Sequence, residues 1–178
     1  MSKFKQILLG ALFLFVMQNV SFAQVSPMVA SELEKLGITP PTAPISGAVI
    51  GVVRSGNLIF LSGHGPDKPD GTQIVGKVGD DLTLEEGQEA ARLVAISILK
   101  TLKGEIGSFD KVKRVVKVFG MVNSAPDFKQ NSQVINGFSE LMVATFGQEK
   151  GSHARSAVGM ASLPNGIAVE VEMIVEVE

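Results

Sequence analysis

Arg155 and Glu170 are the residues whose types and surroundings best suit chemistry in this chain. Arg155 lies in a run of small residues, Ala154-Arg155-Ser156-Ala157-Val158-Gly159. Its guanidinium is a planar fork of donors that fits a carboxylate with two parallel hydrogen bonds. Glu170 belongs to a run of almost strict alternation. Val169, Val171, Met173, Val175 and Val177 fall on one side, and Glu170, Glu172, Ile174, Glu176 and Glu178 on the other. A strand points successive side chains to opposite faces, so this segment reads as a strand with one apolar and one acidic face. Like charges two residues apart on one face repel and raise one carboxyl toward a useful proton affinity. The turn residues Pro164-Asn165-Gly166 stand between Arg155 and Glu170. The expectation is a hairpin that sets one guanidinium near one carboxylate, both facing the same small anion. A cation that holds a substrate carboxylate and an acid that handles a proton suffice for simple hydrolytic chemistry.

Two further segments carry polar groups at unusual positions. Ser62-Gly63-His64-Gly65-Pro66 closes an apolar run with two glycines, so backbone there is free to approach a ligand and offer N–H groups. His64 is the nearby group that titrates close to neutrality, although a lone His is more often a hydrogen-bonded structural residue. The glycines match neither a P-loop nor a dinucleotide fingerprint, because no helix opens after them. Asn136-Gly137 sits inside a helical pattern although both are poor helix formers. It marks either a kink that turns an amide into a cleft or a frayed segment.

The elements that must position these groups follow from pattern. Ala48 to Val53 and Leu58 to Ser62 are short apolar runs joined by Arg54-Ser55-Gly56-Asn57, a hairpin signal. Residues 63–81 are rich in Gly, Pro and Asp and read as loop, with a brief strand at 74–77. Thr83 and Glu86 have capping-box spacing before apolar positions Leu84, Ala91, Ala95, Ile98 and Leu102, which predicts a helix ending between Gly104 and Gly107. Val112 to Val122 reads as a strand that is apolar on both faces, with Val115, Phe119 and Met121 on one of them. Such a strand needs cover on both sides. Two helices cover one face, and the other is a candidate subunit interface. A second helix is predicted from Lys129 to Phe146, and two strands close the chain. The order strand-strand-helix-strand-helix-strand-strand specifies an α+β fold, a single sheet with two helices packed on one face.

Composition narrows the function classes. Residues 1–23 have the three parts of a secretory leader: Lys3 and Lys5, an apolar core from Ile7 to Met17, and Ser21-Phe22-Ala23 before the cleavage point. The core is shorter than the roughly 20 residues a membrane span needs. The expectation is an exported, periplasmic or secreted protein with no stable membrane association after cleavage. Residues 24–44 then form a lead-in with a short helix near Ser31 to Leu36, and residues 45–178 form one domain. Loss of the leader leaves 14 Lys and Arg against 18 Asp and Glu. That balance argues against nucleic acid as the partner. The chain has no Cys and only two His, His64 and His153, so thiolate chemistry is absent and no zinc-binding spacing exists. No metal site is expected.

Taken together, Arg54-Ser-Gly-Asn57, Ser62-Gly-His-Gly-Pro66, the helix from Leu84 to Leu102, the strand from Val112, Ala154-Arg155-Ser156, Leu163-Pro164 and Val169-Glu170-Val-Glu172 resemble the RidA/YjgF family, in its endoribonuclease L-PSP-like branch. The resemblance covers about residues 45–178. It implies a chorismate-mutase-like fold and a homotrimer with three clefts between subunits. It implies cofactor-free hydrolysis of small reactive enamines and imines, of the 2-aminoacrylate and 2-iminopropionate type, to 2-keto acids and ammonia. By motif match Arg155 binds the substrate carboxylate and Glu170 positions water and moves protons. Gly63, His64 and Ala157 take contact positions around the substrate, and Asn136 lines the cleft. The active deaminase branch carries a Tyr where this chain has Val49, a Cys at Ala157 and a Gln at His64. A binding module for small carboxylates in the same clefts is the alternative reading. RNA cleavage, reported for some relatives, ranks last on charge and on the lack of an aromatic platform.

Overall fold

The computed structural model describes residues 35–37 and 50–178. The expected leader, and most of the expected lead-in and its helix, lie outside the described residues. Lys35 is helical and Gly37 takes φ +61°, the left-handed conformation in which helices commonly end.

Among the described residues, five strands form one mixed sheet in the order β1-β2-β5-β3-β4. They are β1 (Val52–Ser55), β2 (Leu58–His64), β3 (Val112–Asn123), β4 (Ala154–Met160) and β5 (Val169–Val177). Strands β1 and β2 make the expected hairpin, with Ser55 opposite Leu58 and Gly56 at φ +61° in the two-residue turn. The strand runs on through Arg54 and Ser55, which the sequence pattern assigns to the turn. Residues 74–77 form no strand. This loop touches the body through isolated bridges, Val75 to Ile167 and Val78 to both Leu82 and Ser124.

Helix α1 (Leu84–Ile106) opens on the predicted capping box. The Glu86 N–H donates to Thr83 Oγ1 at 3.2 Å, and the Thr83 N–H donates to Glu86 Oε2 at 2.8 Å. It ends at Gly107, φ +75°, within the expected window. The second predicted helix is broken in two. A single turn, α2 (Asn131–Val134), precedes α3 (Asn136–Gly151), and the break at Ile135 falls beside Asn136-Gly137. Gly137 is required by proximity: a Cβ there would overlap the Gln88 carbonyl of α1, with the carbonyl carbon 2.9 Å away.

Helices α1 and α3 lie on one face of the sheet. Val94, Ile98 and Leu102 of α1 and Phe138 and Met142 of α3 pack against Val118, Val122, Val171, Met173 and Val175. Burying this apolar area is the main driving force for the arrangement. Val115 belongs to this core rather than to the opposite face. A bulge between Val115 and Lys117 inserts one residue, so the side-chain parity of β3 changes there. The outer face carries Val53, Phe60, Ile174, Lys117, Phe119 and Met121. Val53 and Phe60 are 46% and 40% exposed. Among the described residues, β4 is an edge strand of the sheet.

Candidate functional site

Strands β4 and β5 do not form the expected hairpin. β3 lies between them, parallel to β4 and antiparallel to β5. The connection crosses over the outer face, where Leu163 and Ile167 pack with Met121. Arg155 and Glu170 therefore stand two strand spacings apart, roughly 10 Å across the sheet. Arg155 is opposite Val118 and Glu170 opposite Met121. Those β3 positions differ by three with no bulge between them, so the two side chains leave opposite faces of the sheet. Within one chain the guanidinium and the carboxylate do not meet.

Each instead heads its own cluster. On the helix face, Arg155 Nη1 donates to Asn136 Oδ1 and to Ser139 Oγ, both at 3.0 Å. Its Nη2 donates to the Ser132 carbonyl at 3.2 Å and to Ser132 Oγ at 3.1 Å. The break before α3 makes this possible. It places Asn136 in the first turn of α3, with Ser139 three residues on along the same helical face. The Nη1 contacts are partly buried and the Nη2 contacts exposed. A carboxylate arriving from solvent would exchange with Ser132 and leave Asn136 and Ser139 in place. Ala157 lies two residues along β4 on the same face and packs against the core. The structure thus brings together Arg155, Asn136 and Ala157. Ser132 and Ser139 went unread in the sequence, although the three-residue step from Asn136 to Ser139 was available as a signal.

On the outer face, Glu170 lies against Gly63. A Cβ at Gly63 would collide with Glu170 Oε1 and would sit 2.8 Å from Cδ and 3.0 Å from Cγ. The glycine is required so that the carboxylate can lie along the bulged end of β2, where register slips between Leu61 and His64. Partial burial raises the Glu170 pKa above the ordinary carboxylate value, and the charge of Glu172 adds to the rise. A carboxyl so placed takes up and returns a proton more readily than a solvated one.

His64 turns the other way, to the helix face. Its Nδ1 meets the Ser62 carbonyl at 2.6 Å and its Nε2 meets Thr101 Oγ1 of α1 at 2.8 Å. Burial lowers its pKa, against the opposing effects of the Ser62 carbonyl and Asp67. Both ring nitrogens are engaged within the chain, so His64 anchors the Gly63 bulge to α1. Asp67 ties the same loop down by accepting from Ser97 Oγ at 3.1 Å and from Gln73 Nε2 at 2.7 Å. Among the described residues, no group of three or more His, Asp and Glu is arranged to hold a metal ion. No helix among them is long and apolar enough to cross a membrane.

The family profile described as Endoribonuclease L-PSP matches residues 40–177. Protein TCP17 of Trypanosoma cruzi is 43% identical over 152 residues, which is 85% of this chain and 95% of that protein. The crystal structure of Atu1372 from Agrobacterium tumefaciens superposes with a TM-score of 0.76 at 38% identity, covering 85% of this chain and 94% of the other. RidA from the Antarctic bacterium Psychrobacter sp. PAMC 21119 shares the fold, with a TM-score of 0.51 at 24% identity over 79% of this chain and 98% of its own.

Proposed function

Because this chain belongs to the endoribonuclease L-PSP family, we propose that it hydrolyses small enamines and imines bearing a carboxylate, of the 2-aminoacrylate and 2-iminopropionate type, to 2-keto acids and ammonia. The reaction takes place in clefts that neighbouring copies share in a homotrimer. The observation that carries this reading is the placement of Arg155 and Glu170 on opposite faces of one sheet. Each has a prepared surrounding and neither has the other. A second copy that lays its outer face beside the β4 edge supplies Glu170 and Gly63 to the Arg155 of the first. The exposed apolar groups of the outer face, Val53 and Phe60, favour such an association.

The chemistry follows from the two groups. Arg155 grips the substrate carboxylate and gives up its Ser132 contacts to do so. Glu170 accepts a proton from water as the water oxygen bonds to the C=N carbon. It returns that proton to nitrogen to give a carbinolamine. The carbinolamine hydroxyl proton then passes by way of Glu170 to nitrogen as the C–N bond breaks, and ammonia leaves a 2-keto acid. An enamine first takes a proton on its terminal carbon and gives one up from nitrogen to become the imine. The raised pKa of Glu170 suits both directions of transfer. No cofactor enters these steps. Export of the mature chain after Ala23 is part of the same proposal, and N-terminal sequencing of the protein recovered from the host tests it.

The test is ammonia release from freshly generated 2-aminoacrylate. Arg155→Ala and Glu170→Ala each abolish it. Mixed trimers of the two inactive variants regain about a quarter of the wild-type clefts by random pairing, if Arg and Glu come from different copies. No recovery on mixing, with trimers intact, overturns the shared cleft. A second reading is favoured by the absence of any Tyr and by Ala157. It is binding of a small carboxylate without turnover, seen as Arg155-dependent heat of binding with no ammonia.

A further inference from the structure

We propose that His153, acting through Ser139, is the positioning residue that sets the orientation of the Arg155 guanidinium. The identity of what the guanidinium grips rests on the deamination reading; the hydrogen-bond chain itself does not.

With the His153 ring neutral, the direction of every bond in the chain follows. His153 Nδ1 lies 2.7 Å from the Gly151 carbonyl. A carbonyl only accepts, so Nδ1 carries the proton. Burial holds the ring below its ordinary pKa, the Gly151 carbonyl opposes this, and the nearby Arg155 charge reinforces it. In the neutral ring Nε2 is then a bare acceptor, and it lies 3.0 Å from Ser139 Oγ. The Ser139 hydroxyl must therefore donate its single proton to His153. What Ser139 presents to Arg155 is lone pairs alone, at 3.0 Å from Nη1.

The result is a one-way chain from Arg155 to Ser139 to His153 to the Gly151 carbonyl, each link polarising the next. The Phe138 ring meets the imidazole edge-to-face, with centroids 6.5 Å apart and planes at 85°, and braces its plane. Remove the acceptor at position 153 and the Ser139 hydroxyl loses its anchor. A helical serine freed in this way turns to bond the carbonyl four residues back. The guanidinium then keeps Asn136 but loses its second fixed acceptor.

Three variants test the chain. His153→Phe keeps a ring against Phe138 and removes the acceptor. Ser139→Ala removes the relay. His153→Gln restores an acceptor oxygen near the position of Nε2. With a 2-iminopropionate-type substrate, His153→Phe and Ser139→Ala raise KM by about fivefold, the scale of one hydrogen bond. Because the carboxylate anchor acts alike in ground and transition states, kcat stays within about twofold. His153→Gln recovers most of the loss in KM. A merely structural role lowers the active fraction, and with it kcat, and leaves KM unchanged; that outcome overturns the inference. If the wild-type protein shows no turnover, the deamination reading has failed, and the ¹⁵N resonance of the Arg155 Nε–H decides separately. A signal displaced in His153→Phe and restored in His153→Gln upholds the chain, and a signal unmoved in His153→Phe overturns it.

Discussion

A single methyl group at position 63 tests where the Glu170 carboxylate has to be. Gly63 is not among the glycines with positive φ, so alanine suits its backbone. The added Cβ would overlap Glu170 Oε1 and press on Cδ at 2.8 Å and Cγ at 3.0 Å. All three atoms belong to one flexible side chain. The carboxylate retreats by about 1 Å or more, at a rotamer cost of about 0.5–1.5 kcal/mol. Replacing glycine recovers about 0.4–1 kcal/mol from the unfolded state. Stability therefore changes by less than about 1 kcal/mol. Catalysis does not escape so lightly. A displacement of about 1 Å at a reacting group costs on the order of 10²-fold, equal to about 2.7 kcal/mol in the barrier. Gly63→Ala should melt within a few degrees of wild type and release ammonia about a hundredfold more slowly, with kcat carrying most of the loss. Full activity with an unchanged melting temperature refutes the claim that this carboxylate must lie along Gly63. A collapse in stability refutes the claim that only a flexible side chain meets the methyl.

Other perturbations separate the parts of the argument. Gly137→Ala meets backbone of α1 that cannot yield, so overpacking should cost about 2 kcal/mol in urea unfolding even though alanine is the better helix former. Glu170→Gln tests the raised pKa through stability. Because the folded value lies above the unfolded one, the fold favours the protonated acid, and stability is lost as pH rises through the folded pKa. The variant should be more stable than wild type at neutral pH by about 0.5 kcal/mol, a figure discounted for solvent screening, and the gap should vanish in acid below the carboxylate range. Phe60→Asp places a charge on the outer sheet face. Sedimentation should show monomers with native circular dichroism and no ammonia release; a wild-type trimer would remove that face from the assembly.

Much of this protein is decided by local chemistry and is therefore written in the chain. Thr83 and Glu86 cap α1 because both bonds lie within one turn. Gly107 ends the helix because its left-handed backbone needs no partner from elsewhere. The alternation from Val169 to Val177 assigns its faces by pleat alone, and the structure buries every one of those apolar positions. The family is legible for the same reason, since its marks are short and contiguous.

Tertiary structure decided which faces meet. Turn residues between two strands do not say whether those strands pair, because a third strand of high apolar content can take the place between them. β3 did so, and that insertion moved Arg155 and Glu170 to opposite faces. The bulge at Val115 to Lys117 moved Val115 into the core by adding one residue, a change set by pairing with β5 rather than by β3 itself. The acceptors of Arg155 come from residues 16 to 23 positions earlier, brought near by the break before α3. Spacing along a chain reports a side chain's own element, whereas its partners depend on how elements stack, and stacking is settled by the burial of the whole apolar surface at once.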